Sequence, residues 1–382
     1  MGMIQLRGMT WNHPRGVLPL QAAAAKFQQL NPEVEITWDA RSLHDFEAYP
    51  LDLLAEKYDL MMVDHPHLGT AVKLGVLVPL NEHVSAAFLD DQRANSVGKS
   101  HESYEFDGRQ WAFAADAAAQ VSAFRPDLLQ QHGLQAPRTW AEVTQLIQQL
   151  PGGVKVGLPL APVHAFASFV TLSAQLTDGQ LWNNDQDLSP ELGAEVLALL
   201  QSFLPKLHPS SLSSDPITMS DLMAATDEIA YIPLIYGYSN YAREGFASRT
   251  IHYTDIPSDN GVPSGSMIGG VGIAVSSKSR YIPQCVAFAQ LVADGEFQRT
   301  EYTVSGGQPG HRSAWTDAET NRLTNNFFAG TLRTLDHGYL RPRFDGYIEF
   351  QEQAGKLIQQ HLASGDHRHA ELVRKLNELR RK

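Results

Sequence analysis

Cysteine is nearly missing from this chain: of 382 residues only Cys285 carries a thiol. One cysteine excludes an intrachain disulfide framework and a cysteine-built zinc site. It sits in the apolar-periodic stretch YIPQCVAFAQLVAD, where a small buried hydrophobe is the expected role rather than a nucleophile. Runs of eighteen apolar residues are also lacking, so no membrane-spanning helix is expected. Positive charge is scarce, with 30 Lys and Arg against 42 Asp and Glu and a net charge of −12. That balance repels nucleic acid and anionic membranes. Glycine-rich stretches occur in SGSMIGG and SGGQPG, but no G-K-[ST] follows and no G-x-G-x-x-G opens a helix, so a phosphate loop is excluded. The start, MGMIQLRGMTW, shows no basic, apolar and small-residue leader pattern. A cytoplasmic location is therefore one expectation beside the extracellular one developed below.

What is present is an α/β rhythm. The length suits two or three domains, or two lobes of one fold, and the 43% hydrophobic content suffices for sizeable cores. MIQLRGMTW reads as a strand and GVLPLQAAAAKFQQLNP as a helix with an Asn-Pro stop. VEITWDA is a second strand, DFEAYPLDLLAEKY a helix, and YDLMMVDHP a third strand. The run LMMV suits a strand buried on both faces of a parallel sheet. Such sheets take ligands beyond the carboxyl ends of their strands. The three strand exits are Trp11-Asn12-His13, Asp39-Ala40-Arg41 and Asp64-His65-Pro66-His67, all polar. Further on, Thr139 is the expected cap of a helix, EIAYIPLIYGYSNYA reads as strand-like, SMIGGVGIAVSSKS as a Gly-rich strand, and the tail as two amphipathic helices.

These segments resemble, in order, those of the ABC-importer extracellular solute-binding proteins of sugar and polyol type. The features are a G-x-L-x-P-L ending (Gly75, Leu77, Pro79, Leu80), the crossover GRQWAFAAD, and a helix start carried by Gly133, Pro137, Thr139, Trp140 and Glu142. The strand MIGGVGIAVSSKS and a turn marked by Gly307, Pro309 and Ala314 follow. The resemblance covers nearly the whole chain. It implies a bilobal periplasmic-binding-protein-like α/β fold with hinge strands, lobe one being 1–112 plus 255–310 and lobe two 113–254 plus 311–382. It further implies capture of a small polar ligand (sugar, polyol or small carboxylate) by hinge closure, a periplasmic or extracellular setting, a permease partner and a monomer. TWNHPRG and WDARSL depart from the family pattern and suggest a subgroup with its own ligand, anionic or aromatic.

A polyol needs aromatic platforms and directional polar groups. The candidates in lobe one are Trp11, Asn12, His13, Arg41, Asp64, His65 and His67. In lobe two they are Asp116, Trp182, Tyr236, Tyr238 and Arg312. Two alternatives stand beside this. His13, His65, His67 and Asp64 have the donor types of a metal site, although the helical H-E-x-x-H pattern is lacking; no metal or other cofactor is expected. The same cluster in a closable cleft also suits acid/base chemistry, which would make the chain a cytoplasmic enzyme or ligand sensor on the same fold.

Overall fold

A computed structural model describes residues 2–42, 45, 50–182 and 186–381. In chain order the main elements begin with β1 (Ile4–Trp11), α1 (Pro14–Leu30), β2 (Val34–Arg41), α2 (Leu51–Lys57), β3 (Leu60–Val63) and α3 (Leu68–Leu74). Next come β4 (Phe113–Phe124), α4 (Trp140–Gln149), β5 (Lys155–Val156), α5 (Pro162–Leu176), α6 (Pro190–Phe203) and α7 (Pro216–Ala225). The chain continues through β6 (Ile229–Tyr236), β7 (His252–Thr254), β8 (Ile268–Val275), α8 (Ile282–Ala293), α9 (Tyr347–Ser364) and α10 (His369–Arg380). The expected helix over DFEAYPLDLLAEKY is observed over Leu51–Lys57, and its segment 46–49 lies outside the described residues.

The chain forms two compact units. Unit one comprises 1–118, 269–323 and 343–347; unit two comprises 119–268, 324–342 and 348–382. By compactness, the first two changes of unit fall at 118/119 and 268/269, and 311–323 belongs with unit one.

Unit one is built on the order β2-β1-β3-β8. β1 runs parallel to β2 and β3, and β8 returns antiparallel to β3. β3 is buried at all four positions, the two-faced burial that its unbroken apolar run implies. α1 starts with Pro14, whose missing N–H costs nothing in a first turn, and buries Leu20, Ala23 and Phe27. Phe27 meets Phe288 of α8 edge-on at 5.5 Å.

In unit two, β6 pairs antiparallel with the second half of β4 and parallel with β5, and β7 adds to β4 on its other side. A polar group of core residues fixes the point where β4 enters. Gln120 Nε2 donates to Ser168 Oγ at 3.1 Å, and Gln120 Oε1 accepts from Thr171 Oγ1 at 2.7 Å. Ser266 Oγ donates to the Gln120 carbonyl at 2.6 Å. α4 opens with a complete capping box between Thr139 and Glu142, as its S/T-x-x-E spacing dictates. Among the described residues, no helix is long and apolar enough to cross a membrane.

Candidate ligand-binding residues in the two units

In unit one the three strand exits lie along one rim. Trp11 faces Arg41 in the parallel register of β1 and β2, and the Asn12 N–H donates to the Arg41 carbonyl at 2.6 Å. Met9 faces Met61 across β1 and β3, so continuing the register three residues brings Asp64 level with Asn12. The alternation of strand and helix produces this alignment, because parallel strands joined by helices all end on the same side.

The residues at that rim do different work. Asn12 is exposed and Arg41 half-buried. Trp11 is 4% exposed, and its indole lies on the first turn of α1, where a Cβ on Gly16 would come within 2.5 Å of the ring. Its face is spent on α1, so the expected open stacking platform is not found there. His13 caps α1, with Nδ1 accepting from the Arg15 N–H at 3.0 Å. Burial, and then the Arg15 charge, lower the His13 pKa to about 3, so its ring is neutral. Asp64 is half-buried, with Oδ1 3.2 Å from His65 Nδ1. His65 is fully buried, edge-on to Tyr104 at 6.3 Å, and His67 is buried beside it. Among the described residues, no three His, Cys, Asp or Glu side chains form a group able to hold a metal ion, and the His13, His65, His67 and Asp64 set is not one.

Asp116 is also in unit one, where it meets a residue that no sequence motif singles out. Arg15 Nε donates to Asp116 Oδ2 at 2.7 Å and Arg15 Nη2 to Asp116 Oδ1 at 2.5 Å, with both side chains at least 96% buried. The Arg15 guanidinium also stands 5.9 Å from the Trp11 ring centroid. Burial pushes the Asp116 carboxyl upward while Arg15 draws it back down. The local signal for Arg15 is its place directly after the His-Pro helix start; the 101-residue separation from Asp116 carries none. Arg312 belongs to unit one rather than the second lobe expected for it. Its Nε donates to the Ser96 carbonyl at 3.2 Å and its N–H to that of Asn95 at 2.6 Å.

In unit two, Tyr236 ends β6 half-buried, and Tyr238 is buried two residues later. The ring of His164, in the first turn of α5, meets Tyr236 at a 68° angle and 6.2 Å. His164 is 5% exposed, and its Nδ1 has no hydrogen-bond partner among the described residues. Burial lowers its pKa to about 4 against the opposing pull of Asp215, so the imidazole is neutral. The sequence signal is one polar residue in the otherwise apolar start of PVHAFASFV. Trp182 corrects the expectation placed on it. It is a core residue, stacked on Phe166 at 5.9 Å, edge-on to Phe350 at 5.3 Å, and donating its Nε1–H to Asn377 Oδ1 at 3.2 Å. The rest of its expected polar loop, 183–185, lies outside the described residues.

Residues 22–327 match the model of the bacterial extracellular solute-binding proteins. The chain belongs to that family. Solved structures agree on the fold of this solute-binding protein. It resembles an ABC transporter solute-binding protein from Agrobacterium radiobacter K84 in complex with ribitol, at 21% identity and TM-score 0.80, covering 99% of this chain and 98% of that one. It resembles maltose-bound MalE3 of T. maritima at 14% identity and TM-score 0.83, covering 99% of both chains. A third similar structure, from Agrobacterium vitis S4 with bound D-mannitol, has 14% identity and TM-score 0.78, covering 98% and 97%. No sequence match to a curated protein was found. The fold expectation of two α/β units is thus met by this solute-binding protein, whose family is that of the extracellular solute-binding proteins.

Proposed function

We propose that this solute-binding protein captures an uncharged sugar or polyol for an ABC importer and performs no chemistry on it. The observation that carries this reading is the state of its buried charges. Arg15 and Asp116 cancel each other through two hydrogen bonds, and His13 and His164 are held neutral by burial. Neutral donors and acceptors beside an aromatic ring suit a polyhydroxy ligand. The ribitol, D-mannitol and maltose in structures of the same fold support the same class.

In this reading unit two offers the Tyr236 ring for a sugar C–H face and His164 Nδ1 as a hydrogen-bond acceptor or donor. Unit one offers Asn12, Asp64 and Arg41 from its strand exits. The two units close over the solute, and the closed monomer docks on a permease outside the cell. Closure follows from differential binding, since a ligand favours the state in which it makes more contacts.

Isothermal titration with ribitol, D-mannitol and maltose tests the proposal. At least one is expected to bind, with Tyr236→Ala and His164→Ala each weakening it about tenfold or more, the loss of one stacking or buried hydrogen-bond contact. Binding of small carboxylates with no response to any of the three polyols would overturn it.

A further inference from the structure

The turn that joins α9 to α10 gathers three histidines that the reading above does not use. His361 lies in the last turn of α9 and His369 opens α10. His361 Nε2 stands 2.8 Å from His369 Nδ1, with the rings 5.1 Å apart. His367 is exposed, its ring 5.9 Å from that of His369. All three belong to unit two. A nitrogen–nitrogen contact of this length requires one ring to donate and the other to accept, so one proton is shared between the two nitrogens.

A divalent ion can replace that proton by bridging the two nitrogens from a position off the line that joins them. Two imidazole nitrogens, each about 2.0–2.1 Å from one ion, lie roughly 2.9–3.4 Å apart for angles between square and tetrahedral. The pair must therefore open by up to about 0.6 Å, and each ring must turn by roughly 35–45° to aim its lone pair at the ion. The nearby cation is itself paired. Arg368 is held by Asp366, with Nη2 to Oδ2 at 2.7 Å and the backbone N–H to Oδ1 at 2.9 Å, and its Nη1 is 3.7 Å from Glu371. No three-ligand group stands ready-made among the described residues, so water or a rotated His367 completes the coordination.

We propose that the α9–α10 turn is a surface site for a divalent transition metal, ligated by His361 Nε2 and His369 Nδ1. Imidazole donors favour Zn²⁺, Ni²⁺ and Cu²⁺ over Mg²⁺ or Ca²⁺. Occupancy staples α10 to α9, and α10 is the helix whose Asn377 holds Trp182 and the Leu188 backbone in the core.

The test uses the full chain, stripped with chelator and titrated calorimetrically with ZnCl₂ and with NiCl₂ at neutral pH. One site in the micromolar range is expected, together with a metal-dependent rise in melting temperature. His361→Gln or His369→Gln weakens it at least tenfold, and the double variant abolishes both signals. His367→Gln, at an exposed position, weakens binding by a few-fold at most. Circular dichroism and melting without metal show that each variant is folded. Absence of binding by the wild type, or binding retained in the folded double variant, would overturn the assignment.

Discussion

Arg15 and Asp116 bring opposite charges to a place water does not reach. Their two hydrogen bonds fix the start of α1 against β4 within unit one. A buried pair of this kind is worth little against an apolar replacement, but removing one partner strands the other charge. Asp116→Ala is therefore expected to lower the unfolding free energy by about 3–5 kcal/mol, and Arg15→Met with Asp116→Leu to recover most of it. Urea unfolding followed by circular dichroism measures both; a loss in Asp116→Ala no larger than that of the double variant contradicts the account. The buried histidines set the acid limit. The pKa falls from 6.5 to about 3 for His13, and to about 4 for His101 and His164, with burial the largest cause in each case. Below pH 6.5 the unfolded chain takes up protons that the folded one refuses, so stability is full above that pH and drops as the pH falls toward the folded values. Each ring contributes a slope of about 1.4 kcal/mol per pH unit inside its window. His13→Asn, which keeps a cap but cannot titrate, is expected to flatten the decline between pH 6.5 and 3 in a pH series of urea midpoints.

At the scale of elements, one device recurs. The Nδ1 atoms of His13, His208 and His311 each accept the N–H two residues on, at 3.0, 3.3 and 3.3 Å, and each opens a helical segment. The imidazole Nδ1 here does what the side-chain oxygen of Asn or Ser does at an N-cap. Replacing any of the three by Ala is expected to cost about 1 kcal/mol and by Asn only a few tenths; thermal unfolding of the single variants checks this, and near-zero cost for the Ala series rejects it. The capping also explains part of what is legible. Strand alternation, helical periodicity and the Thr139 box are local, so the order of strands and helices in unit one can be read directly. His-Pro is legible as a helix start as well, yet the sequence points His13 toward the ligand because the imidazole cap is rarer than Ser or Asp. Pairings across distance leave no local trace. Arg15 meets Asp116 after 101 residues, and Trp182 meets Asn377 after 195. A tryptophan beside Asn-Asn-Asp reads as a surface loop until Phe166 is seen stacked on it and Phe350 edge-on.

For the whole molecule, the decisive feature is that the chain changes unit several times rather than once, first at 118/119 on β4 and then at 268/269 on β8. Neither unit is a continuous stretch, so motion of one against the other must be absorbed at a few crossing residues. Gly270 stands one residue beyond the second crossing at φ +87, and a Cβ there would come within 2.3 Å of the Asp116 carbonyl oxygen. That carbonyl belongs to the residue paired with Arg15, two positions before the first crossing. Alanine at 270 would thus combine left-handed strain with a clash that pushes both crossing strands apart. Gly75 is the control: it ends α3 at φ +64, and a Cβ there would meet nothing within 4 Å, so alanine adds strain without a clash. Both variants should melt lower than the wild type, Gly75→Ala reflecting a cost of about 1 kcal/mol. A polyol that binds should raise the melting temperature of the wild type by about 3 °C at a hundred times its Kd. Gly270→Ala should weaken that ligand about tenfold or more, the effect of about 1.4 kcal/mol of misplacement, while Gly75→Ala leaves Kd unchanged. Small-angle scattering supplies the independent reading, since the ligand-dependent contraction expected of the wild type and Gly75→Ala should shrink in Gly270→Ala. Equal affinity and equal contraction in all three proteins would show that the crossing at 268/269 does not govern closure.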